Sequence, residues 1–197
     1  MARFGINPKN TLGIPIPVLR KLAKEIGKNH KLAQELWQSG LHEARILAGM
    51  IDDPSLVTRG QMDNWVKDFD SWDVCDQVCS NLFDKTSFAW QVVEKWPRDN
   101  REFVRRAGFT MMAVLAVHDK EASDKQFIAF FPLIKKYASD ERNFVKKAVN
   151  WALRQIGKRN THLRKEAVKV ARELQTFDSK SSRWVANDAL RELSQVQ

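Results

Sequence analysis

Glycine and proline are scarce, eight and six in 197 residues, against usual shares of about 7% and 5%. A chain assembled from many tight turns uses more of both, so helices joined by short connections are expected. Cysteine is scarcer still: Cys75 and Cys79 are the only two, which excludes a disulfide scaffold. Their spacing could supply half of a metal site, but no second pair and no nearby His completes one. Reduced core thiols and no metal are the expectation. The four histidines (His30, His42, His118, His162) are scattered, with no HExxH pattern. Long hydrophobic runs are also missing. The longest, such as Met111 to Val117, fall far short of the ~20 residues that cross a bilayer, and no signal-like segment opens the chain. A cytoplasmic protein without a membrane partner is expected. The chain has no Gly-x-Ser-x-Gly elbow, P-loop or GxGxxG, so acyl transfer, nucleotide hydrolysis and dinucleotide chemistry have no support.

What is present is helical periodicity. Leu19, Leu22, Ala23 and Ile26 mark one segment, and Phe144, Val145, Ala148, Val149, Ala152 and Ile156 another. Punctuators such as Asp52-Asp53-Pro54, Trp96-Pro97-Arg98-Asp99 and Gly157-Lys158-Arg159-Asn160 separate ten or eleven helices. The chain also repeats itself. Glu102-Phe103-Val104-Arg105-Arg106-Ala107 returns 41 residues later as Asn143-Phe144-Val145-Lys146-Lys147-Ala148, and Arg183-Trp184-Val185 follows after 40 more. A degenerate copy lies at Leu41-His42-Glu43-Ala44-Arg45-Ile46-Leu47-Ala48. Two-helix HEAT-type units have periods of about 40–47 residues. The predicted fold is therefore all-α: a curved solenoid of HEAT-like two-helix repeats forming one domain, residues 1–197. A non-repetitive helical bundle is the alternative.

Charge is unevenly spread. Net charge is +9. From Arg142 to Arg172 there are ten Lys or Arg against the single acid Glu166, while Asp52 to Asp84 holds eight Asp against Arg59 and Lys67. The basic run is either a solvated helical face or a surface for an anion. Trp151 sits among Lys146, Lys147, Arg154, Lys158 and Arg159, and basic side chains interleaved with aromatics suit backbone phosphates and salt-sensitive duplex binding.

One segment can carry chemistry. In Ser71-Trp72-Asp73-Val74-Cys75-Asp76, Ser71 is placed to cap a helix. Trp72 and Asp76, four apart, then share a face, with Val74, Val78 and Leu82 forming a separate packing stripe. An indole beside a carboxylate attracts a cation by about 0.5–2 kcal/mol through the ring alone, and the carboxylate can stabilise an oxocarbenium-like sugar. Taken separately, Trp72 also fits a core anchor and Asp76 a partner for a neighbouring Arg.

Ser71-Trp72-Asp73-Val74-Cys75-Asp76, Phe103-Val104-Arg105-Arg106-Ala107 and Phe144-Val145-Lys146-Lys147-Ala148-Val149-Asn150-Trp151-Ala152-Leu153-Arg154 resemble, in order and spacing, the AlkD family of bacterial alkylpurine DNA glycosylases. The resemblance covers nearly the whole chain. It implies a HEAT-like solenoid whose basic concave face wraps duplex DNA, and hydrolysis of the N-glycosidic bond of cationic alkylated purines such as 3-methyladenine or 7-methylguanine, without a cofactor. It implies Asp76 as the acid that stabilises the sugar cation and positions water, Trp72 and Trp151 as π faces for sugar and base, and Arg106 on a phosphate. Phe4, Arg20, Arg45, Lys147, Arg154, Lys158, Arg159 and Arg183 join Arg106 as expected DNA contacts on a monomer. Family members usually have a further N-terminal helix ahead of the position of Met1, and often Tyr where Phe4 stands. Two other functions compete: a non-catalytic HEAT-like module binding branched or damaged DNA, and a protein-interaction solenoid with a basic limb.

Overall fold

Four polar side chains fix where helices begin. Asn29, Thr58, Asn160 and Ser179 each accept the backbone N–H three residues ahead, at 3.0, 3.1, 2.8 and 3.2 Å, satisfying donors that a helix start leaves open. Gly27 and Gly40, at φ 71° and 69°, turn the chain out of the first two helices through the left-handed region that glycine tolerates. A computed structural model describes residues 6–194 of the chain. Those residues form twelve α-helices, α1 to α12, and no strands. The count exceeds the predicted ten or eleven because α8 (Asp124–Ile128) and α9 (Phe131–Tyr137) are too short to display a 3.6-residue period. The chain divides into two compact units, residues 1–91 and 92–197.

The first unit holds α1 (Ile16–Ile26), α2 (His30–Gln38), α3 (His42–Ile51), α4 (Arg59–Trp65) and α5 (Trp72–Asn81), and the start of α6 (Ala89–Lys95). Helix α3 packs on α1, α2 and α5, which is why it buries eight of its ten residues. Trp37 of α2 and Trp65 of α4 lie face to face at 3.9 Å, and the Trp37 indole N–H donates to Asp68 at 2.9 Å, so the ring is buried without stranding its polar edge.

The second unit contains α7 (Glu102–His118), α8, α9, α10 (Asn143–Arg159), α11 (Thr161–Gln175) and α12 (Lys180–Leu193). Helix α7 is buried without a break from Arg106 to Ala116 and packs along α10. Both run for 17 residues and begin 41 residues apart, so the sequence repeat is a repeat of structure. Gly108 touches Pro97 so closely that a Cβ there would lie 2.4 Å from the proline Cδ. Helix α10 ends within Gly157-Lys158-Arg159-Asn160 as expected, but Gly157 itself lies inside the helix. A Cβ at this position would meet Leu193 Cδ2 at 2.8 Å and the Ala167 Cβ at 2.9 Å, so glycine serves close packing of α10 on α11 and α12. The helix stops at Asn160, whose backbone is extended and whose side chain caps α11.

Candidate active site and nucleic-acid interface

Helix α5 presents Trp72 and Asp76 one turn apart, both half-buried, while Val74, Cys75, Val78, Cys79 and Leu82 are fully buried. The i, i+4 spacing and the opposite apolar stripe thus appear as read from the sequence. Ser71 stands at the N-cap position, but its side chain makes no cap bond; the Val74 N–H is instead taken by Asp73 Oδ1 at 3.0 Å. Burial, together with the Cys75 thiol and the charges of Asp76 and Asp84, pushes the Cys79 thiol well above its ordinary pKa. Cys79 is therefore a packing group and not a nucleophile, and Cys75 is fully buried beside it.

In the second unit, Trp151 is half-buried on α10 and Arg106 is buried on α7, 5% exposed. The Arg106 Nη1 donates to the Phe144 carbonyl at 2.8 Å. A guanidinium expected at a phosphate therefore ties α7 to the first turn of the helix that carries Trp151.

The other expected DNA contacts fall into three groups. Arg20 and Lys147 are exposed. Arg45, Arg159 and Arg183 are engaged by backbone carbonyls: Arg45 with Asp68 at 3.0 Å, Arg159 with Ala116, Lys120 and Ala122 at 3.0, 3.0 and 2.8 Å, and Arg183 with Phe177 at 3.0 Å. Arg45 also lies over the Trp37 ring and Arg159 over Phe127. Arg154 and Lys158 form ion pairs with Glu192 of α12, and Arg154 lies 3.7 Å from Asp188. Lys158 and Arg159 line a cavity of about 390 Å³ with Lys120, Gln155 and Asn160. Phe4 lies outside the described residues.

The profile of the DNA alkylation repair enzyme family matches residues 1–193. The chain belongs to that family. Its fold is that of the HEAT-like repeat DNA glycosylases. A solved structure described as a new family of proteins related to the HEAT-like repeat DNA glycosylases, with affinity for branched DNA structures, aligns with a TM-score of 0.78 at 21% identity, covering 96% of this chain and 86% of that one. No curated protein matches.

Three features of this DNA alkylation repair enzyme family member escape a reading of its sequence. First, the repeat begins earlier than Glu102. Asp99 and Asp140, also 41 apart, each accept the N–H and Nε of the Arg two residues on, Arg101 and Arg142, at 2.9 to 3.1 Å. The Arg101 side chain holds the Asp99 pKa down to about 2. The Asp-x-Arg spacing was the available signal. Second, His42 Nε2 and Asp73 Oδ2 are 2.8 Å apart between α3 and α5, beside a cavity of about 200 Å³ also lined by Ile14, Ile16 and Glu43. Burial alone lowers the His42 pKa, but the bonded Asp73 carboxylate, with Glu43 and Asp70 nearby, outweighs it and holds the imidazolium above its ordinary range. Burial raises the Asp73 pKa, but the His42 contact and the other hydrogen bonds to the carboxylate, the Val74 N–H among them, together outweigh it and hold the group below its ordinary value. Glu43 accepts the N–H groups of Leu12 and Gly13 at 2.8 and 2.7 Å, fastening the segment before α1. Third, Asp188 and Glu192 offset part of the basic run, a neutralisation that a count over residues 142–172 misses because both acids lie beyond it.

Proposed function

We propose that this protein is a DNA glycosylase that hydrolyses the N-glycosidic bond of cationic alkylated purines, 3-methyladenine and 7-methylguanine, in duplex DNA. The observation that carries the reading is the pairing on α5 of a half-buried indole and a half-buried carboxylate, Trp72 and Asp76, one turn apart, in a chain of the DNA alkylation repair enzyme family. A cationic purine leaves readily, since the electron pair of the breaking C1′–N bond neutralises its charge. The residual task is to stabilise the deoxyribosyl cation and deliver water. The Asp76 carboxylate opposes the developing positive charge and accepts the proton of the water whose oxygen bonds to C1′. Trp72 and Trp151 offer π faces to the cationic base and sugar. Arg106, buried on the Phe144 carbonyl, is assigned to positioning the start of α10. Arg20, Lys147, Arg154, Lys158 and Arg183 are assigned to phosphates.

The experiment is release of 7-methylguanine from methylated duplex. Wild-type protein should excise it. Asp76→Asn should lower the rate by at least about 100-fold, a typical loss when one charge-stabilising group is removed, with binding to undamaged duplex nearly unchanged. Equal excision by the variant removes Asp76 from the mechanism.

A second reading, a non-catalytic module for branched DNA, is favoured by the fold likeness to a protein with affinity for branched DNA structures. It predicts tight binding of a four-way junction by wild-type protein with no release of methylated base.

A further inference from the structure

The sequence repeat of the second unit puts an aromatic on each of three of its long helices: Phe103 on α7, Phe144 on α10 and Trp184 on α12. Phe103 and Phe144 are half-buried and stacked on one another, ring centroids 5.4 Å apart and planes 29° from parallel. Trp184 is different. Its residue is 40% exposed, although α12 buries Ser181, Ser182, Val185, Ala186, Ala189 and Leu193 against the unit. The helix is thus packed without a large aromatic at this position, and a tryptophan is the most apolar area a single side chain can leave in water.

Its surroundings are cationic. Lys146 Nζ lies 5.1 Å from the indole centroid, Arg183 precedes it in the chain and is exposed, and Lys147 is exposed beside Lys146 on α10. Of the nearby acids, Asp188, one turn further along α12, is engaged by Asn150 at 2.6 Å and by Arg191, and Asp178 is 3.7 Å from Arg183. An exposed indole with an ammonium over one face and further cations nearby matches a ligand that is flat, aromatic and attached to anions. A nucleotide in a strand is such a ligand: base on indole, phosphates on the ammonium and guanidinium groups. Inside a duplex both faces of each base are covered by their neighbours, so only an unpaired base can use the indole.

We propose that Trp184 is a stacking platform for an unpaired nucleobase of DNA, with Lys146, Lys147 and Arg183 holding the phosphates of the same strand. The site rests on the DNA-binding part of the reading above and needs no glycosylase activity. It lets the protein distinguish DNA that is gapped, frayed or branched from continuous duplex.

The test compares binding, by fluorescence anisotropy at two salt concentrations, of a blunt duplex and the same duplex carrying a short thymine gap. Wild-type protein should prefer the gapped DNA. Trp184→Ala should lose about tenfold on gapped DNA, the order expected for one base–aromatic stack, and nothing on blunt duplex. Trp184→Phe should retain most of the preference because a smaller π face remains. A Trp184→Ala protein that keeps the full preference, or that loses affinity equally for both DNAs, overturns the platform while leaving DNA binding intact. Wild-type protein with no salt-sensitive affinity for either DNA overturns the underlying reading and the platform with it.

Discussion

Arg106 is a cation whose place is set by a carbonyl. Buried on α7, it donates to the carbonyl of Phe144 in the first turn of α10. Arg106→Ala removes this hydrogen bond from a charged donor, at a cost of about 1.5–3 kcal/mol. The expected result is a lower melting temperature, measured by circular dichroism. An unchanged melt would place the stabilisation of α10 elsewhere. Arg45 and Arg159 repeat the lesson on exposed or half-buried carbonyls. Nothing in a sequence distinguishes an arginine that reaches a carbonyl from one that reaches a phosphate, because both need a cation on the polar flank of an amphipathic helix. Trp72 and Asp76 were more legible: four-residue spacing puts two side chains on one helical face whatever the helix packs on.

Helices α3 and α5 are joined by the His42–Asp73 pair, and this junction is pH-dependent. The folded pKa of His42 lies above its ordinary 6.5, so its contribution is complete below that value and fades as pH rises through the folded pKa. The folded pKa of Asp73 lies below its ordinary 3.8, so its contribution is present above that value and fades as pH falls through the folded pKa. Glu43 and Asp70 face the same imidazole and act in the same direction as Asp73. The junction is therefore strongest between about pH 4 and pH 6.5. Thermal melts of wild-type protein should lose stability from pH 6 to pH 9 more steeply than those of His42→Gln; parallel curves would show that the pair contributes nothing to the slope. His42 and Asp73 are 31 residues apart, and their meeting depends on the packing of α3 on α5, which periodicity predicts only as two apolar stripes. The repeat-bearing helices were easier to read, since α7 and α10 start 41 residues apart, the offset of the Phe-Val motif itself. The helix end expected in Gly157-Lys158-Arg159-Asn160 falls at Arg159; glycine ends helices and also lets them approach, and only the neighbours Leu193 and Ala167 decide that Gly157 does the second.

Across the whole molecule the charge of +9 is a sum over groups that differ in availability. Arg154 and Lys158 are bound to Glu192, and Arg142 to Asp140. A phosphate that binds Arg154 or Lys158 must displace a carboxylate, which weakens binding and lowers its salt dependence, since only net neutralised phosphates release counterions. Glu192→Gln should strengthen binding to undamaged duplex and steepen the slope of log K against log salt by about one to two units. An unchanged slope would remove Arg154 and Lys158 from the contacts. The amino-acid order alone determined the helical class, the 41-residue repeat and the one-turn pairing of indole and acid, because helical period and spacing are local and are written in consecutive residues. Tertiary structure alone decided which cations remain available, how His42 meets Asp73 and why Trp184 is left in water, because each depends on a partner brought from a distant helix by packing.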